Sequence, residues 1–339
     1  MKEKKGFRIM DVGLLDIDGH SGFPNLALMK LARFFKHRGD TVEWAMPMFG
    51  RYDLLCASKV FTFSPEPNWN EYKFRELEKG GTGYDIKKQL PPPIEAIREP
   101  DYSIYPNCDY SIQFYSRGCI RKCPFCLVNE KEGKIKAVEP MELNPRGKWI
   151  EVLDNNFFAN PEWREAAEHL HKQKQPVKFH GVDVRIMTEE MAYWLNKLRL
   201  KNGVHIAWDL PQIDLRPKLK EMLKYIKPEK IVCYVLVGFN STREQDYERL
   251  RYLKELRILP FVQPYRDFEN KRKPTQYEQD IARWANRMWL FNTQDFMDYV
   301  PRQGETGRQY FSKEYAEKWC PRKVEEKPII EGDLFSTMG

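Results

Sequence analysis

Three cysteines carry the clearest chemical signal in the sequence. Cys119, Cys123 and Cys126 stand at CxxxCxxC spacing. Such a thiolate set can bind three irons of a [4Fe–4S] cluster, because these clusters take cysteine sulfur at each protein-ligated iron. Three local ligands, rather than four, leave one iron open for a small molecule. The spacing therefore predicts an iron–sulfur cluster with one exchangeable position.

A zinc site is the main alternative for the same thiols, since closely spaced cysteines also bind structural zinc. Cys108 could supply a fourth ligand, but it lies well upstream, and no second CxxC or Cys/His pair follows. Disulfides are disfavoured because the cysteine count of 7 is odd and no signal peptide is visible. Cys56 and Cys233 lie in apolar runs and are predicted to be core residues.

The run 117–126, with the aromatic Phe125 directly before its last cysteine, resembles the signature of the radical SAM superfamily. The resemblance implies that S-adenosylmethionine (SAM) occupies the open iron through its amino and carboxylate groups. It also implies that one electron cleaves SAM to a 5′-deoxyadenosyl radical, which abstracts hydrogen from a substrate. Cys119, Cys123 and Cys126 are then the catalytic metal ligands, and Phe125 belongs with the cofactor-binding residues.

The loop that carries the cysteines is expected to be shielded and positively charged. Ile120, Phe125 and Leu127 are expected to give apolar cover that keeps solvent and oxygen from a cluster. Arg117, Arg121 and Lys122 flank the thiols, and their charge would stabilise a reduced cluster, although Arg121 and Lys122 could equally be solvated.

Polar residues at the ends of two predicted strands are candidates for contacting SAM or substrate. Asp154 and Asn156 could accept hydrogens from the SAM ammonium group, although such residues also suit a simple turn. His180 and Arg185 follow the next strand, where an arginine could donate two hydrogen bonds to the SAM carboxylate. Arg185 could instead pair with Glu189 nearby.

Residues 235–239 resemble the adenine-contacting strand of the superfamily. The resemblance implies that backbone groups read the adenine edge, that Leu236 flanks the ring and that Gly238 permits close approach. Both residues are therefore predicted to bind the cofactor.

Composition favours a folded protein of the cell interior. The chain has 339 residues, 42% hydrophobic and 14% aromatic, with a net charge of +7. This charge permits an acidic partner without requiring one. No apolar run reaches the length of a membrane span, so we expect a cytoplasmic protein with no membrane partner.

The amino-terminal part is predicted to be a small Rossmann-like unit with a parallel sheet. Strands are expected at 7–12, 41–45 and 54–63, with a helix over 23–38 that ends at Gly39.

This unit resembles the cobalamin-binding domain of one radical SAM branch, through 24–28 and 38–42. The axial-histidine motif DxHxxG is not met, since Asp18 and His20 fit but Phe23 replaces the glycine. A vestigial domain without cofactor is favoured, with cobalamin as the alternative.

A turn-rich transition is expected over 64–110, followed by a partial (β/α)6 TIM-like barrel and a helical carboxy-terminal cap. The cap is expected to contain one amphipathic helix around 277–291. The predicted domains are 1–80, a linker over 81–110, the barrel over 111–270 and the extension over 271–339. The predicted barrel strands are 111–115, 149–153, 177–180, 204–208, 230–237 and 259–263, and the helices between them are 161–172, 188–200, 216–226 and 242–256.

The resemblance also implies an electron donor such as flavodoxin or ferredoxin. The substrate could be a peptide, a nucleotide or nucleic acid, or a small metabolite. Two alternatives remain open: a cobalamin-dependent radical SAM methyltransferase, and a non-catalytic zinc- or iron–sulfur-binding protein. Methylthiolation of tRNA is disfavoured, because neither a second three-cysteine site nor an RNA-binding domain is visible.

Overall fold

The computed structural model describes residues 8–19, 22–267 and 270–312. The chain is of the mixed α/β class with parallel sheets. It divides into two compact units, one of 1–183 with 194–202 and one of 184–193 with 203–339. The predicted four-part domain division stays a prediction.

The described part of the chain contains twelve strands and ten α-helices. The strands are β1 (Asp11–Asp16), β2 (Thr41–Trp44), β3 (Arg51–Ser58), β4 (Lys73–Gly80), β5 (Ser111–Gln113), β6 (Ser116–Arg117), β7 (Lys136–Ala137), β8 (Ile150–Val152), β9 (Val177–Phe179), β10 (Val204–Ala207), β11 (Ile231–Val237) and β12 (Leu259–Pro264). The helices are α1 (Leu26–Arg38), α2 (Pro92–Glu95), α3 (Val128–Glu132), α4 (Trp163–Lys172), α5 (Glu189–Lys197), α6 (Arg216–Met222), α7 (Arg243–Glu255), α8 (Gln276–Ala285), α9 (Met288–Thr293) and α10 (Gly307–Tyr310).

The first sheet of the first unit has the order β2-β1-β3-β4, and all of its pairs are parallel. Helix α1 begins after Asn25, whose side chain accepts the Leu28 N–H, and it ends at Gly39 in the left-handed conformation. Its apolar face packs with Leu14 and Cys56 in one buried cluster. The predicted parallel sheet, the helix end and the core position of Cys56 are confirmed.

Two strands in this region were predicted with wrong bounds, and a third was not predicted. Strand β1 begins at Asp11 rather than at residue 7, and β3 spans Arg51–Ser58 rather than 54–63. Strand β4 lies inside the predicted turn-rich transition. It is an edge strand, and charged side chains cover much of it, so the alternation of apolar residues that marks a buried strand is weak.

The second sheet of the first unit has the order β5-β8-β9, again parallel. Its residues Val152 and Phe179 are fully buried, as is Leu170 of α4. The Tyr115 hydroxyl lies 2.8 Å from His169 Nδ1, and this contact ties the segment after β5 to α4. The carboxyl ends of β5, β8 and β9 meet at one edge of this sheet, and the cysteine loop follows β5.

The second unit contains a parallel sheet of order β10-β11-β12. Cys233 is fully buried in β11, as predicted. The single helix predicted around 277–291 is wrong, because α8 stops at Ala285 and α9 begins at Met288. Asn286 separates them: its side chain accepts the Val262 N–H at 2.6 Å and donates to the Val262 carbonyl at 3.0 Å.

Each unit therefore contributes one open, three-stranded parallel sheet from the region predicted as a barrel. The continuous partial barrel stays a prediction. Within the described residues, no helix combines the length and the apolar character that crossing a bilayer requires.

Candidate functional site: the cysteine loop of the first unit

The cysteine loop is closed at its base by a short antiparallel ladder. Ser116 of β6 pairs with Ala137 of β7, and Arg117 pairs with Lys136. The residues between these strands form the cysteine segment and helix α3. Because both ends of the loop are joined, the thiols are held beside the carboxyl edge of the β5-β8-β9 sheet.

Glu132, the last residue of α3, anchors this base. Its carboxylate accepts two hydrogen bonds from Arg117, at 3.1 and 2.7 Å, and one from the Gly118 N–H at 2.8 Å. It also accepts the Asn155 amide at 2.8 Å. Burial alone would raise the pKa of Glu132, but Arg117 and the Gly118 N–H hold it below the usual value. Glu132 was missed in the sequence, because it lies among charged residues on a short helix.

Gly118 fixes the direction in which the chain enters the loop. Its φ of 84° lies in the left-handed region, and a Cβ at this position would overlap the Lys134 carbonyl oxygen. Only glycine meets both conditions without strain.

The three cysteines are not part of the hydrophobic core. Cys119 and Cys123 are half-buried, and Cys126 is exposed. The Arg121 N–H lies 3.4 Å from Cys119 Sγ, and the Cys126 N–H donates to the Cys123 carbonyl at 2.9 Å. Across the described ranges, no three histidine, cysteine or acidic side chains are grouped so that they could hold a metal ion. The thiols share one loop but do not converge.

The other described cysteines lie in a different environment. Burial raises the pKa of the Cys56 thiol to about 12, and it also raises the pKa of Cys108 and Cys233. A buried thiol that resists ionisation is a poor metal ligand. The chemistry of the donor set therefore favours the loop cysteines over these three.

Two of the three residues expected to cover a cluster are exposed, and the covering role stays a prediction. Ile120 is 47% exposed and Leu127 is 56% exposed, whereas Phe125 is half-buried. The loop projects past the end of β5, where the sheet no longer encloses side chains. The two arginines are not solvated cations either: Arg117 binds Glu132, and Arg121 binds Asp183 at 3.0 Å.

Asp154 holds the chain that leads into the loop. It is 1% exposed, and its carboxylate accepts the Tyr115 N–H at 2.9 Å and the Ser116 hydroxyl. Burial raises the pKa of Asp154 to about 6, although these hydrogen bonds oppose the rise. Both oxygens thus have partners inside the fold, and the geometry assigns Asp154 to positioning the loop.

Asn156 is the predicted residue whose geometry best suits a ligand. It is 1% exposed, and its Nδ2 donates to Asp183 at 3.3 Å. Its Oδ1 is buried and has no hydrogen-bond partner among the described residues. Asp183 also binds Arg121 of the cysteine loop, so this acceptor lies in the network that joins the loop to the sheet.

His180 belongs to a charged group on the sheet itself. Its Nε2 contacts Glu151 of β8, which lies opposite Lys178 of β9. Glu151 also accepts the Trp149 indole N–H at 2.7 Å. Burial would raise the pKa of Glu151, but the hydrogen bonds from His180 and Trp149 and the charge of Lys178 lower it overall. The histidine predicted as a cofactor contact is therefore placed beside a carboxylate.

The remaining predicted site residues lie in the second unit. Arg185 is half-buried in a 3-10 turn at Val184–Ile186. Leu236 stands near the end of β11, and Gly238 follows with a φ of 78°. A Cβ on Gly238 would overlap the Glu278 carboxylate, so this backbone approaches α8 closely.

A buried arginine, not foreseen from the sequence, organises the strand ends of the second unit. Arg249 is 3% exposed and donates to the carbonyls of Asp209 at 3.1 Å and Leu236 at 2.9 Å. It also pairs with Asp246 at 2.6 Å. Burial raises the pKa of Asp246 to about 6, while Arg249 opposes that rise. The sequence of α7 did not indicate that Arg249 is buried, because charged residues occupy most of that helix.

The residues used for the comparison with cobalamin domains are only partly described. Asp18 is buried, and its carboxylate accepts from the Val60 N–H and the Ser64 hydroxyl. His20 lies outside the described residues, as does the seventh cysteine, Cys320.

Comparison of the whole sequence with known proteins finds no family model that matches and no curated protein that is similar.

Proposed function

We propose that this protein is a radical SAM enzyme whose [4Fe–4S] cluster is held by Cys119, Cys123 and Cys126. The observation that carries the proposal is a CxxxCxxC loop fixed at the carboxyl edge of a parallel sheet, where α/β folds place their ligands. Three cysteines outside the hydrophobic core would supply the sulfur donors that such a cluster takes. A reduced cluster held by Cys119, Cys123 and Cys126 would supply the one electron needed to split SAM at its S–C5′ bond into methionine and a 5′-deoxyadenosyl radical.

The thiols need to move together to bind a cluster. Metal binding is coupled to folding, so its free energy can drive a local rearrangement that brings the ligands together. The ends of this loop are fixed by Glu132 and by the β6–β7 ladder. The rearrangement would therefore be confined to the segment between Gly118 and α3.

Asn156 is the residue we assign to the ammonium group of SAM. A buried acceptor without a partner costs about 1–3 kcal/mol, and a ligand that donates a hydrogen bond removes that cost. The Asn156 Oδ1 is such an acceptor within the described part of the chain. Asp183, which holds the Asn156 amide, also holds Arg121, so the same contacts position the amide and the loop.

The other parts of the proposal follow from the superfamily resemblance. By that resemblance, we propose Phe125, His180, Arg185, Leu236 and Gly238 as cofactor-binding residues, and a partial barrel as the fold. We place the enzyme in the cytoplasm, with an electron donor such as flavodoxin or ferredoxin. The cobalamin-dependent methyltransferase and the non-catalytic metal protein are outcomes that the following experiment separates.

Anaerobic reconstitution with iron and sulfide tests the proposal directly. We expect about four irons per chain, as one such cluster contains, and 5′-deoxyadenosine from SAM after reduction with dithionite. Replacing Cys123→Ala should abolish the product, whereas Cys108→Ala removes a buried thiol outside the loop and should retain it. A colourless protein with stoichiometric zinc and no product would refute radical chemistry. Methylcobalamin-dependent methyl transfer would instead identify the cobalamin branch.

A further inference from the structure

A cavity of about 440 Å³ lies at the carboxyl edge of the first sheet, and it shares no lining residue with the cysteine loop. Leu14 and Asp16 of β1 and Trp44 of β2 form one wall. The segment 104–110 forms the other. The volume falls within the range of about 300–1,000 Å³ that is usual for small-molecule sites. Open parallel sheets bind their ligands at this edge.

Asp16 gives the cavity its charge. Asp16 is the one lining side chain in the described ranges that carries a charge at neutral pH, and no described salt bridge includes it. Its carboxylate accepts the Tyr105 hydroxyl at 2.6 Å and the Asp18 N–H at 3.2 Å. Burial raises the pKa of Asp16 in spite of these bonds. A carboxylate in a mostly apolar cavity is stabilised by a cation, and none of the described lining residues supplies one.

Four of the described lining residues are aromatic. Trp44 and Tyr105 meet edge to face with centroids 5.2 Å apart, and Phe23 and Tyr110 lie 5.7 Å apart. The Trp44 indole N–H donates to the Ile104 carbonyl at 2.9 Å, so its polar edge is already satisfied. Aromatic walls of this kind attract cations through the negative faces of the rings.

We propose that this cavity binds a compact organic cation, with Asp16 as its counter-ion and Trp44, Tyr105 and Tyr110 as its aromatic wall. The chemical class is a quaternary ammonium, sulfonium or similar soft cation that is weakly hydrated. An anionic ligand is disfavoured because it would face the Asp16 carboxylate. The site does not depend on the proposed chemistry of the cysteine loop.

A pair of probes that differ only in charge tests this site. Choline and its neutral carbon analogue 3,3-dimethyl-1-butanol are titrated calorimetrically into the full, cluster-free chain. We expect choline to bind about tenfold more tightly, in keeping with the strength of desolvated cation–π contacts. Equal affinities, or no binding of choline, would overturn the proposal, and this comparison requires no variant.

Two aspartates on the same strand provide a matched pair of variants. Asp16→Asn should weaken choline binding about tenfold and leave the neutral analogue unchanged. Asp11→Asn makes the same change at the opposite, exposed end of β1 and should leave both affinities unchanged. If Asp16→Asn binds choline as tightly as the natural chain does, Asp16 is not the counter-ion.

Discussion

The substitution Glu132→Gln tests whether one carboxylate holds the base of the cysteine loop. Glutamine keeps the length and shape of the side chain but removes its charge. Its amide oxygen can still accept the bonds made to Glu132 Oε2, but its NH₂ group then takes the place of Oε1 and cannot accept the second Arg117 hydrogen bond. The Gly118 N–H, directly before Cys119, then donates to a neutral amide oxygen in place of a carboxylate, which weakens its hydrogen bond.

The expected magnitude follows from the number and exposure of these bonds. A hydrogen bond to a charged group contributes about 1.5–3 kcal/mol. The Arg117 side chain is 30% exposed, so water replaces part of its loss, whereas Glu132 is only 12% exposed. We expect the free energy of opening the loop to fall by about 2 kcal/mol, which corresponds to roughly a 30-fold shift in the opening equilibrium.

Amide hydrogen exchange in a peptide covering 116–133 measures this opening. Exchange should accelerate roughly 30-fold in Glu132→Gln, while Glu130→Gln, an exposed acid on the same helix, should match the natural chain. Equal exchange in the two variants would refute the anchoring role of Glu132.

Because Arg117 and Gly118 hold the pKa of Glu132 below 4.5, the protection should persist from neutral pH down to about that value and be lost at lower pH.

Two further predictions concern the other buried acids. The pKa of Asp154 is raised from 3.8 to about 6, so the folded state binds the proton more tightly and stability should decrease as pH rises through that window. Urea unfolding of Asp154→Asn should lack this decrease, and an unchanged pH profile would contradict it. Arg249→Ala should destabilise the chain by about 3–5 kcal/mol because it leaves Asp246 buried without its cation. A loss of unfolding free energy below about 1 kcal/mol in the same assay would contradict the role of the buried pair. The control is Arg251→Ala, on the exposed side of α7.

Local patterns in the sequence were enough to locate most of the elements. The apolar runs that become β9, β10 and β11 are short and bounded, and strands lie there. Gly39 marked the end of α1 correctly because a helix cap depends on neighbouring residues alone, whereas the helix begins at Leu26 rather than at the predicted residue 23. The edge strand β4 escaped prediction for the opposite reason: its pairing with β3 is non-local, and its charged residues carry no apolar signal.

The candidate site also has features that local sequence predicts and features that depend on distant segments. The sequence by itself determined that three thiols share one loop after a strand, since their spacing is a property of adjacent residues. Only the tertiary structure decided which charged groups hold that loop, because Glu132 reaches Asn155, and Arg121 reaches Asp183, across distant parts of the chain. It also decided that Asp154 faces inward while Asn156 keeps a buried acceptor without a partner in the described chain. The sequence gives the charge and polarity of each residue, but the partner of each charged group depends on chain segments that only folding brings together.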